Sequence, residues 1–170
     1  MLSGLRAHGR YHGAYEDIAT RITQFVSGEH QRAALTQLFA TLALSCAVEN
    51  GDAHLKNFAV LYEHAEGTVH LAPAYDIIAT TPYNPRDVLA LTLGGSKAFP
   101  DRARISDFGR RACGLSKAQV ADTLAKVRLG VERTLAEIRE HIAGHHDFTT
   151  AGQQLVETFE RGLRRSIVST

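Results

Sequence analysis

The sequence predicts a mainly α-helical domain with one small β-hairpin, and three features indicate this fold class. Apolar residues recur every three or four positions in both the first and the last third of the chain, which is the spacing of helices with one buried face. Near the middle, two short apolar runs flank a polar link that contains glycine. The 170 residues are 44% hydrophobic, enough for the core of one domain. We therefore expect residues 1–170 to form a single domain.

The charge and cysteine content exclude several classes of protein. The chain has 19 lysine and arginine residues against 18 aspartate and glutamate residues, a formal charge of +1. This balance predicts no direct nucleic-acid binding. The 2 cysteines lack metal-ligand spacing, so we expect neither a disulfide framework nor a zinc site. No run approaches the ~18 apolar residues of a membrane span, and no signal core opens the chain. These observations predict a soluble, cytoplasmic protein without membrane contact.

The first third of the chain predicts an arm and two helices. Residues 1–13 are rich in glycine, histidine and arginine and show no periodicity, so we expect a flexible arm. Apolar residues at helical spacing predict a first helix over residues 15–26. A second helix has a broad apolar stripe, which is typical of a central, mostly buried helix. It leads directly into Asn50.

The middle of the chain predicts β-structure. Residues 58–62 and 68–72 flank a polar link with a glycine, which favours a hairpin. Pro73 cannot extend the ladder and releases the chain. Residues 79–85 are rich in threonine and proline and are interpreted as a loop. Residues 88–93 are apolar enough to predict a third short strand.

The last third predicts three helices. Ser106 and Asp107 are interpreted as the cap of a short helix. Ser116 opens a capping box at the start of the longest helix. Gly130 lies in the middle of that helix, where glycine costs about 1 kcal/mol relative to alanine, so we expect close packing there. Thr150 is interpreted as the start of a capping box for the last helix.

One polar stretch between apolar segments is the candidate site. Residues 50–57 read Asn-Gly-Asp-Ala-His-Leu-Lys-Asn, and polar groups between two buried elements usually mark a functional site. Asp52 and Asn57 have the D-x-x-x-x-N spacing of a phosphotransferase catalytic loop. Asp76 follows at the far end of the predicted hairpin. Phosphoryl transfer needs a carboxylate to accept the proton of the attacking hydroxyl and hard oxygen ligands for magnesium. These three residues supply such groups in the order of a protein kinase.

The sequence around these residues resembles the HipA-like serine/threonine kinases of bacterial toxin–antitoxin systems. The resemblance is carried by residues 49–58 (Glu-Asn-Gly-Asp-Ala-His-Leu-Lys-Asn-Phe) and 71–76 (Leu-Ala-Pro-Ala-Tyr-Asp). It continues in residues 80–83 (Thr-Thr-Pro-Tyr) and 89–95 (Leu-Ala-Leu-Thr-Leu-Gly-Gly). The motifs are specific as a set, and the likeness in pattern extends over most of the chain.

The resemblance implies a role for each site residue. Asp52 would be the catalytic base, and Asn57 and Asp76 would bind magnesium. Further residues are expected near the phosphates of ATP: His54, Lys56 and Tyr75. The fold implied is a protein-kinase-like carboxyl-terminal lobe, a helical bundle around a catalytic-loop hairpin. Such kinases phosphorylate protein targets and are restrained by a DNA-binding antitoxin.

The amino-terminal half of the family has no counterpart in this sequence. Neither a glycine-rich phosphate loop nor an upstream strand lysine is present. We therefore expect the chain to correspond to the carboxyl-terminal lobe alone and to need an amino-terminal lobe for activity. The partners implied are an antitoxin-like DNA-binding protein or such a lobe, together with a protein substrate.

Two other functions remain open. Residues 51–57 also fit the G-D-x-H-x-x-N loop of aminoglycoside and choline phosphotransferases, which are small-molecule kinases. The approach to Asp76 favours the HipA-like family instead. The absence of a phosphate-covering loop favours a third function, a non-catalytic binding module of the same fold.

Two further motifs are interpreted as structural. Residues 107–109 spell Asp-Phe-Gly, the kinase metal-binding signature, but they follow Asn57 at too great a distance. Asp107 is better explained as an acid in a helix-capping region. Residues 145–147, His-His-Asp, follow a helix end, and we expect a solvated loop rather than a set of metal ligands.

Overall fold

The computed structural model describes residues 9–168. Residues 1–8 of the predicted arm lie outside the described part of the chain. Residues 9–13 hydrogen-bond to the body of the protein. The carbonyl of Arg10 accepts from the Leu55 amide at 3.2 Å, and that of Gly13 accepts from the Thr92 amide at 3.1 Å. This end of the predicted arm is therefore held against the candidate site.

Within residues 9–168 the main elements are five α-helices and a two-stranded antiparallel sheet. The helices are α1 (Tyr15–Phe25), α2 (Gly28–Ala47), α3 (Arg102–Arg111), α4 (Lys117–Gly144) and α5 (Thr149–Gly162). A π-helical turn, Leu163–Ile167, continues α5. The mainly helical prediction is confirmed.

Helix α2 is the centre of the bundle. It packs against the four other helices and against the second strand of the hairpin. Its residues Leu38, Phe39 and Leu42 are fully buried, as the broad apolar stripe predicted. Because residues 34–47 of α2 are buried or half-buried throughout, the turn that follows the helix is attached to the packed core.

The predicted hairpin is confirmed but is shorter than expected. Its strands are β1 (Val60–Leu61) and β2 (His70–Leu71), with Val60 opposite Leu71. Val60 is half-buried, whereas Leu61 is 54% exposed. Only one face of this short ribbon packs on the bundle, so little holds the pairing beyond two residues.

The predicted strand over residues 88–93 is wrong. Only isolated bridges occur there, between Ala14 and Thr92 and between Leu93 and Ser96. The alternating leucines Leu89, Leu91 and Leu93 are buried nonetheless. Ala90 between them is buried as well. An apolar segment can pack into the core whether or not a neighbouring strand is available, so apolar character alone did not establish a strand.

Two predicted helix starts are also wrong. Helix α3 begins at Arg102, and the Asp101 carboxylate caps it by accepting from the Arg104 amide at 2.8 Å. Asp107 lies within α3 and pairs with Arg111 at 2.7 Å. Helix α5 has Phe148 as its N-cap residue, with no side-chain hydrogen bond. The predicted Ser116 capping box is confirmed.

Gly130 does not mark a close approach, contrary to the prediction. A Cβ atom placed there would meet no heavy atom within 4 Å. Gly162 is the close contact instead, since its Cβ would lie 2.2 Å from the Ala47 carbonyl oxygen. The end of α5 therefore touches the end of α2, directly before the candidate site.

None of the helices in the part of the chain that the structure describes is both long and apolar enough to cross a membrane.

Candidate active site

The candidate site is a tight turn at the end of α2. The chain turns at Glu49, whose φ of 53° lies in the left-handed region. The buried Asn50 side chain then accepts a 2.9 Å hydrogen bond from the Asp52 amide through Oδ1. A single 3₁₀ turn, Leu55–Asn57, closes the segment. Backbone amides satisfy the last carbonyls of α2, and the Asn50 side chain satisfies the amide of Asp52 in the turn.

The carboxylate of Asp52 is half-buried at the head of this turn. Its Oδ1 accepts a 2.8 Å hydrogen bond from the phenol of Tyr11. That hydrogen bond, together with burial and the negative charge of Asp52, raises the pKa of the Tyr11 phenol. The next residue, Ala53, is fixed by a 2.8 Å hydrogen bond from the buried Tyr15 hydroxyl to its carbonyl. Asp52 therefore stands on a turn anchored in the core and is already paired with a hydroxyl group.

Asn57 and Asp76 lie in direct contact, although 19 positions separate them in the sequence. The Asn57 Nδ2 donates to Asp76 Oδ2 at 2.8 Å. Its Oδ1 accepts from the His54 amide at 2.9 Å. The Asn50 Nδ2 also reaches the Asp76 carbonyl at 3.4 Å. The hairpin therefore returns the chain so that Asp76 meets the turn that carries Asp52.

The backbone of Asp76 is strained. Its φ is 58°, in the left-handed region that non-glycine residues rarely adopt, at a cost of about 1–3 kcal/mol. The hydrogen bonds from Asn50 and Asn57 hold the residue there. Its side chain is exposed to solvent, so the carboxylate faces outward beside the buried Asn57.

The three residues expected near the phosphates occupy different environments. The His54 ring is buried and packs edge-on against Tyr11, with 5.3 Å between ring centroids. Among residues 9–168 its Nδ1 has no hydrogen-bond partner. Lys56 is half-buried, and its carbonyl accepts a hydrogen bond from the exposed Tyr75 phenol. Lys56 and Tyr75 are thus neighbours at the rim, whereas His54 lies beneath it.

The donor atoms fit a hard divalent cation such as magnesium. Asp76 offers a carboxylate, and Asn57 Oδ1 keeps a second lone pair beyond the one used by His54. Within the described residues, no group of three or more His, Cys, Asp or Glu side chains is arranged to hold a metal ion. Magnesium commonly takes one or two protein ligands and completes its shell with water and phosphate oxygens, so the Asp76 carboxylate and the Asn57 amide oxygen are donors of the kind it uses.

Sequence reasoning missed a cluster behind the turn. The side chain of Glu49 is 1% exposed. It accepts hydrogen bonds from Arg161, Arg165 and Thr81. The two arginines lie 112 and 116 positions away, and no local pattern pairs such distant residues. The signal available was a glutamate at the end of an apolar helix, where a buried charge requires partners.

Two known proteins resemble this chain over much of its length. "Putative kinase Y4dM" from Sinorhizobium fredii (strain NBRC 101917 / NGR234) is 30% identical over 115 residues. The alignment covers 67% of this chain and 25% of that protein. A chain in the solved complex of the Shewanella oneidensis MR-1 toxin–antitoxin system, HipA and HipB with operator DNA, matches with a TM-score of 0.66 and 16% identity. That match covers 87% of this chain and 35% of the solved one, and it shows a shared fold.

This chain therefore spans about a quarter of the first relative and about a third of the second. The sequence profile of the HipA-like C-terminal domain matches residues 1–135, which include Asp52, Asn57 and Asp76. The chain belongs to the HipA-like C-terminal domain family.

Proposed function

We propose that this chain is the carboxyl-terminal lobe of a HipA-family serine/threonine kinase. It would transfer the γ-phosphoryl group of ATP to a hydroxyl group on a protein. The observation that carries the proposal is the 2.8 Å contact between Asn57 and Asp76, beside the turn that presents Asp52. In phosphoryl transfer, catalysis rests on positioning and on charge stabilisation, so convergence of these groups matters more than any single side chain.

Asp52 is proposed as the base. It would orient the acceptor hydroxyl, whose oxygen attacks the γ-phosphorus as the bond to the ADP oxygen breaks. The hydroxyl proton would pass to the Asp52 carboxylate. The 2.8 Å hydrogen bond from the Tyr11 phenol supports this role, because it demonstrates that a hydroxyl group can approach Oδ1 at donor distance. An acceptor hydroxyl using the same oxygen would replace Tyr11.

Asn57 and Asp76 are proposed to hold magnesium. A bound magnesium ion supplies positive charge that offsets the negative charge of the phosphates. The ligand residues would need to exchange the hydrogen bond between Asn57 Nδ2 and Asp76 Oδ2 for metal contacts. Lys56 and Tyr75 at the rim and His54 beneath it remain candidates for contacts to the phosphates.

Thermal melting of the purified chain with magnesium and ATP tests the nucleotide site. A ligand that binds only the folded state adds about 2.7 kcal/mol of stability at one hundred times its dissociation constant. We expect a rise in melting temperature that requires both components and is lost in Asp76→Asn. The matched control is Asp122→Asn, whose carboxylate pairs with Lys126 on the exposed side of α4. A rise that survives Asp76→Asn would contradict the assigned metal ligand.

Phosphoryl transfer is tested separately with Asp52→Asn. This variant should keep the nucleotide-dependent rise in melting temperature and lose phosphorylation of protein substrate, assayed with a coexpressed amino-terminal lobe present. Nucleotide binding without transfer in the unmodified chain would favour the non-catalytic module. Transfer to an aminoglycoside or choline rather than to protein would favour a small-molecule kinase.

An antitoxin-like DNA-binding protein is proposed as partner. The support is the Shewanella oneidensis complex, in which HipA is assembled with HipB and operator DNA. Coexpression of this chain with a DNA-binding protein encoded beside it should give one species in size-exclusion chromatography. Separate elution of the two proteins would contradict this partner.

A further inference from the structure

The buried carboxylate of Glu49 accepts four hydrogen bonds from three side chains. Arg161 binds it in a bidentate manner, with Nε 3.0 Å from Oε1 and Nη2 2.6 Å from Oε2. Arg165 Nη2 donates to Oε1 at 2.6 Å, and the Thr81 hydroxyl donates to Oε2 at 2.6 Å. Both carboxylate oxygens therefore accept two hydrogen bonds. A carboxylate with four good donors is fixed in position far more tightly than a surface ion pair.

The backbone of Glu49 connects the two halves of the candidate site. Its carbonyl accepts from the Thr80 amide at 3.2 Å and from the Thr80 hydroxyl at 3.1 Å. The same hydroxyl oxygen accepts from the Gly51 amide at 2.8 Å. Thr80 follows the loop that carries Asp76, and Gly51 precedes Asp52. Thr80 therefore links the segment that carries Asp76 to the turn that carries Asp52.

The position of Glu49 is unfavourable unless its partners are present. Its φ of 53° is adopted readily by glycine and rarely by other residues. Its carboxylate is almost completely removed from water. Removing the arginine partners of a buried carboxylate leaves an uncompensated charge. Loss of the guanidinium groups should therefore shift this residue and the backbone attached to it.

We propose that Glu49, clamped by Arg161 and Arg165, is the positioning residue that sets the placement of Asp52 relative to Asp76. The importance of that placement rests on the proposed kinase function, whereas the linkage itself rests on the hydrogen bonds described. Arg161 lies on the last turn of α5, and Arg165 lies on the π-helical turn that follows. Both lie beyond residues 1–135, the part that matches the family profile. The terminal helix thus acts on the site from behind, without contact with substrate.

Amide hydrogen exchange of the full chain tests the proposal without nucleotide. In the double variant Arg161→Gln and Arg165→Gln, the amides of Gly51, Asp52 and Thr80 should exchange at least about tenfold faster, as local opening predicts. Amides in the middle of α4 should keep their rates. A loss of general stability would accelerate α4 as well, so selective exchange separates positioning from a merely structural role.

Lysine substitutions give the sharper comparison. Arg165 makes one hydrogen bond to Glu49, so Arg165→Lys should preserve the slow exchange of Gly51. Arg161 donates to Glu49 through two nitrogens, and a lysine cannot reproduce this bidentate contact. The amide of Gly51 should therefore exchange faster in Arg161→Lys. The control is Arg139→Gln, which removes an exposed pair with Glu160 and should leave all rates unchanged.

Three outcomes would overturn the proposal: unchanged exchange at Gly51 and Thr80 in the double variant, equal acceleration throughout the chain, or equal behaviour of the two lysine variants. If the double variant does not fold, Arg161→Lys and Arg165→Lys are compared alone, and their difference decides the question. Failure to bind ATP even with a coexpressed amino-terminal lobe would contradict the proposed function and leave the exchange result intact.

Discussion

The phenolic hydroxyl of Tyr11 lies 2.8 Å from Oδ1 of Asp52, across 41 positions of sequence. The contact joins the segment before α1 to the carboxylate proposed as catalytic base. Because a neutral phenol donates to a carboxylate whereas a phenolate repels it, Asp52 favours the protonated form of Tyr11.

The pKa of Tyr11 should therefore fall when Asp52 is neutralised. The hydrogen bond to Asp52 is the largest cause of the raised pKa, followed by burial. In Asp52→Asn we expect the Tyr11 phenol to titrate at lower pH, closer to its ordinary value of 10.0. Ultraviolet absorbance of the phenolate, measured as the difference between each protein and its Tyr11→Phe counterpart, isolates this group among 5 tyrosines. An unchanged Tyr11 titration in Asp52→Asn would show that the contact is absent in solution.

Gly51 should tolerate no side chain. A Cβ atom there would lie 2.2 Å from Asp87 Oδ2 and 2.6 Å from the Val88 carbonyl oxygen. The Asp87 side chain can move aside, but the Val88 backbone cannot do so cheaply. We expect Gly51→Ala to lower the free energy of unfolding by about 1–3 kcal/mol, the usual cost of overpacking. Urea denaturation measures the change.

The control for that substitution is Gly130→Ala in α4. Nothing lies within 4 Å of the added Cβ, and alanine favours a helix interior by about 0.5–1 kcal/mol over glycine. This variant should therefore be more stable than the unmodified chain. If both alanine variants changed stability by the same amount, the close packing around Gly51 would be refuted.

Asp101 and Asp107 in and beside α3 should contribute differently to the free energy of unfolding. Asp101 caps the helix, so Asp101→Ala should cost about 0.5–2 kcal/mol. Asp107 makes an i,i+4 pair with Arg111 at the surface, which is worth about 0.3–0.5 kcal/mol. Thermal unfolding of the two variants should show the larger loss for Asp101→Ala. A larger loss of stability for Asp107→Ala than for Asp101→Ala would contradict the role of Asp101 as the helix cap.

The buried carboxylate of Glu49 predicts a loss of stability in acid. Burial raises its pKa, but hydrogen bonds from Arg161 and Thr81 and the charges of Arg165 and Arg161 outweigh that effect. The net pKa of Glu49 lies below the ordinary 4.5. A lowered pKa in the folded state contributes stability that is present above the ordinary pKa and is lost as the pH falls through the folded value.

Comparison with Glu49→Gln measures this contribution. The urea midpoint of the unmodified chain should exceed that of Glu49→Gln at neutral pH, and the gap should narrow below pH 4.5, the ordinary pKa of a glutamate. A gap that stays constant from neutral pH into this acid range would mean that the carboxylate charge does not stabilise the fold.

Local sequence patterns were enough to select three candidate residues, of which the structure brings Asn57 and Asp76 into contact. Asp52 and Asn57 lie on one turn, and Asp76 follows a hairpin whose existence was readable from two apolar runs. A hairpin brings the residues before its first strand close to those after its second strand. The contact between Asn57 and Asp76 could therefore be expected from their positions on either side of the hairpin. The family resemblance assigned roles to these residues, and the geometry shows where they lie.

The contacts that surround the turn, those of Glu49 with its arginine partners and of Tyr11 with Asp52, could not be predicted in this way. The partners of Glu49 are chosen by the packing of α5 on α2, which depends on the whole fold. The contact of Tyr11 with Asp52 depends on backbone hydrogen bonds of residues 9–13, a segment without periodicity. The predicted strand over residues 88–93 was wrong for a related reason, because apolar residues indicate burial and do not identify a hydrogen-bonding neighbour.

The left-handed backbone at Glu49 has an evolutionary consequence. A homologue with glycine at this position would adopt the same turn without strain and would present no carboxylate. Guanidinium groups at positions 161 and 165 would then have nothing to neutralise. Substitutions at these three positions should therefore be correlated among relatives, with the acidic residue and the two basic ones gained or lost together.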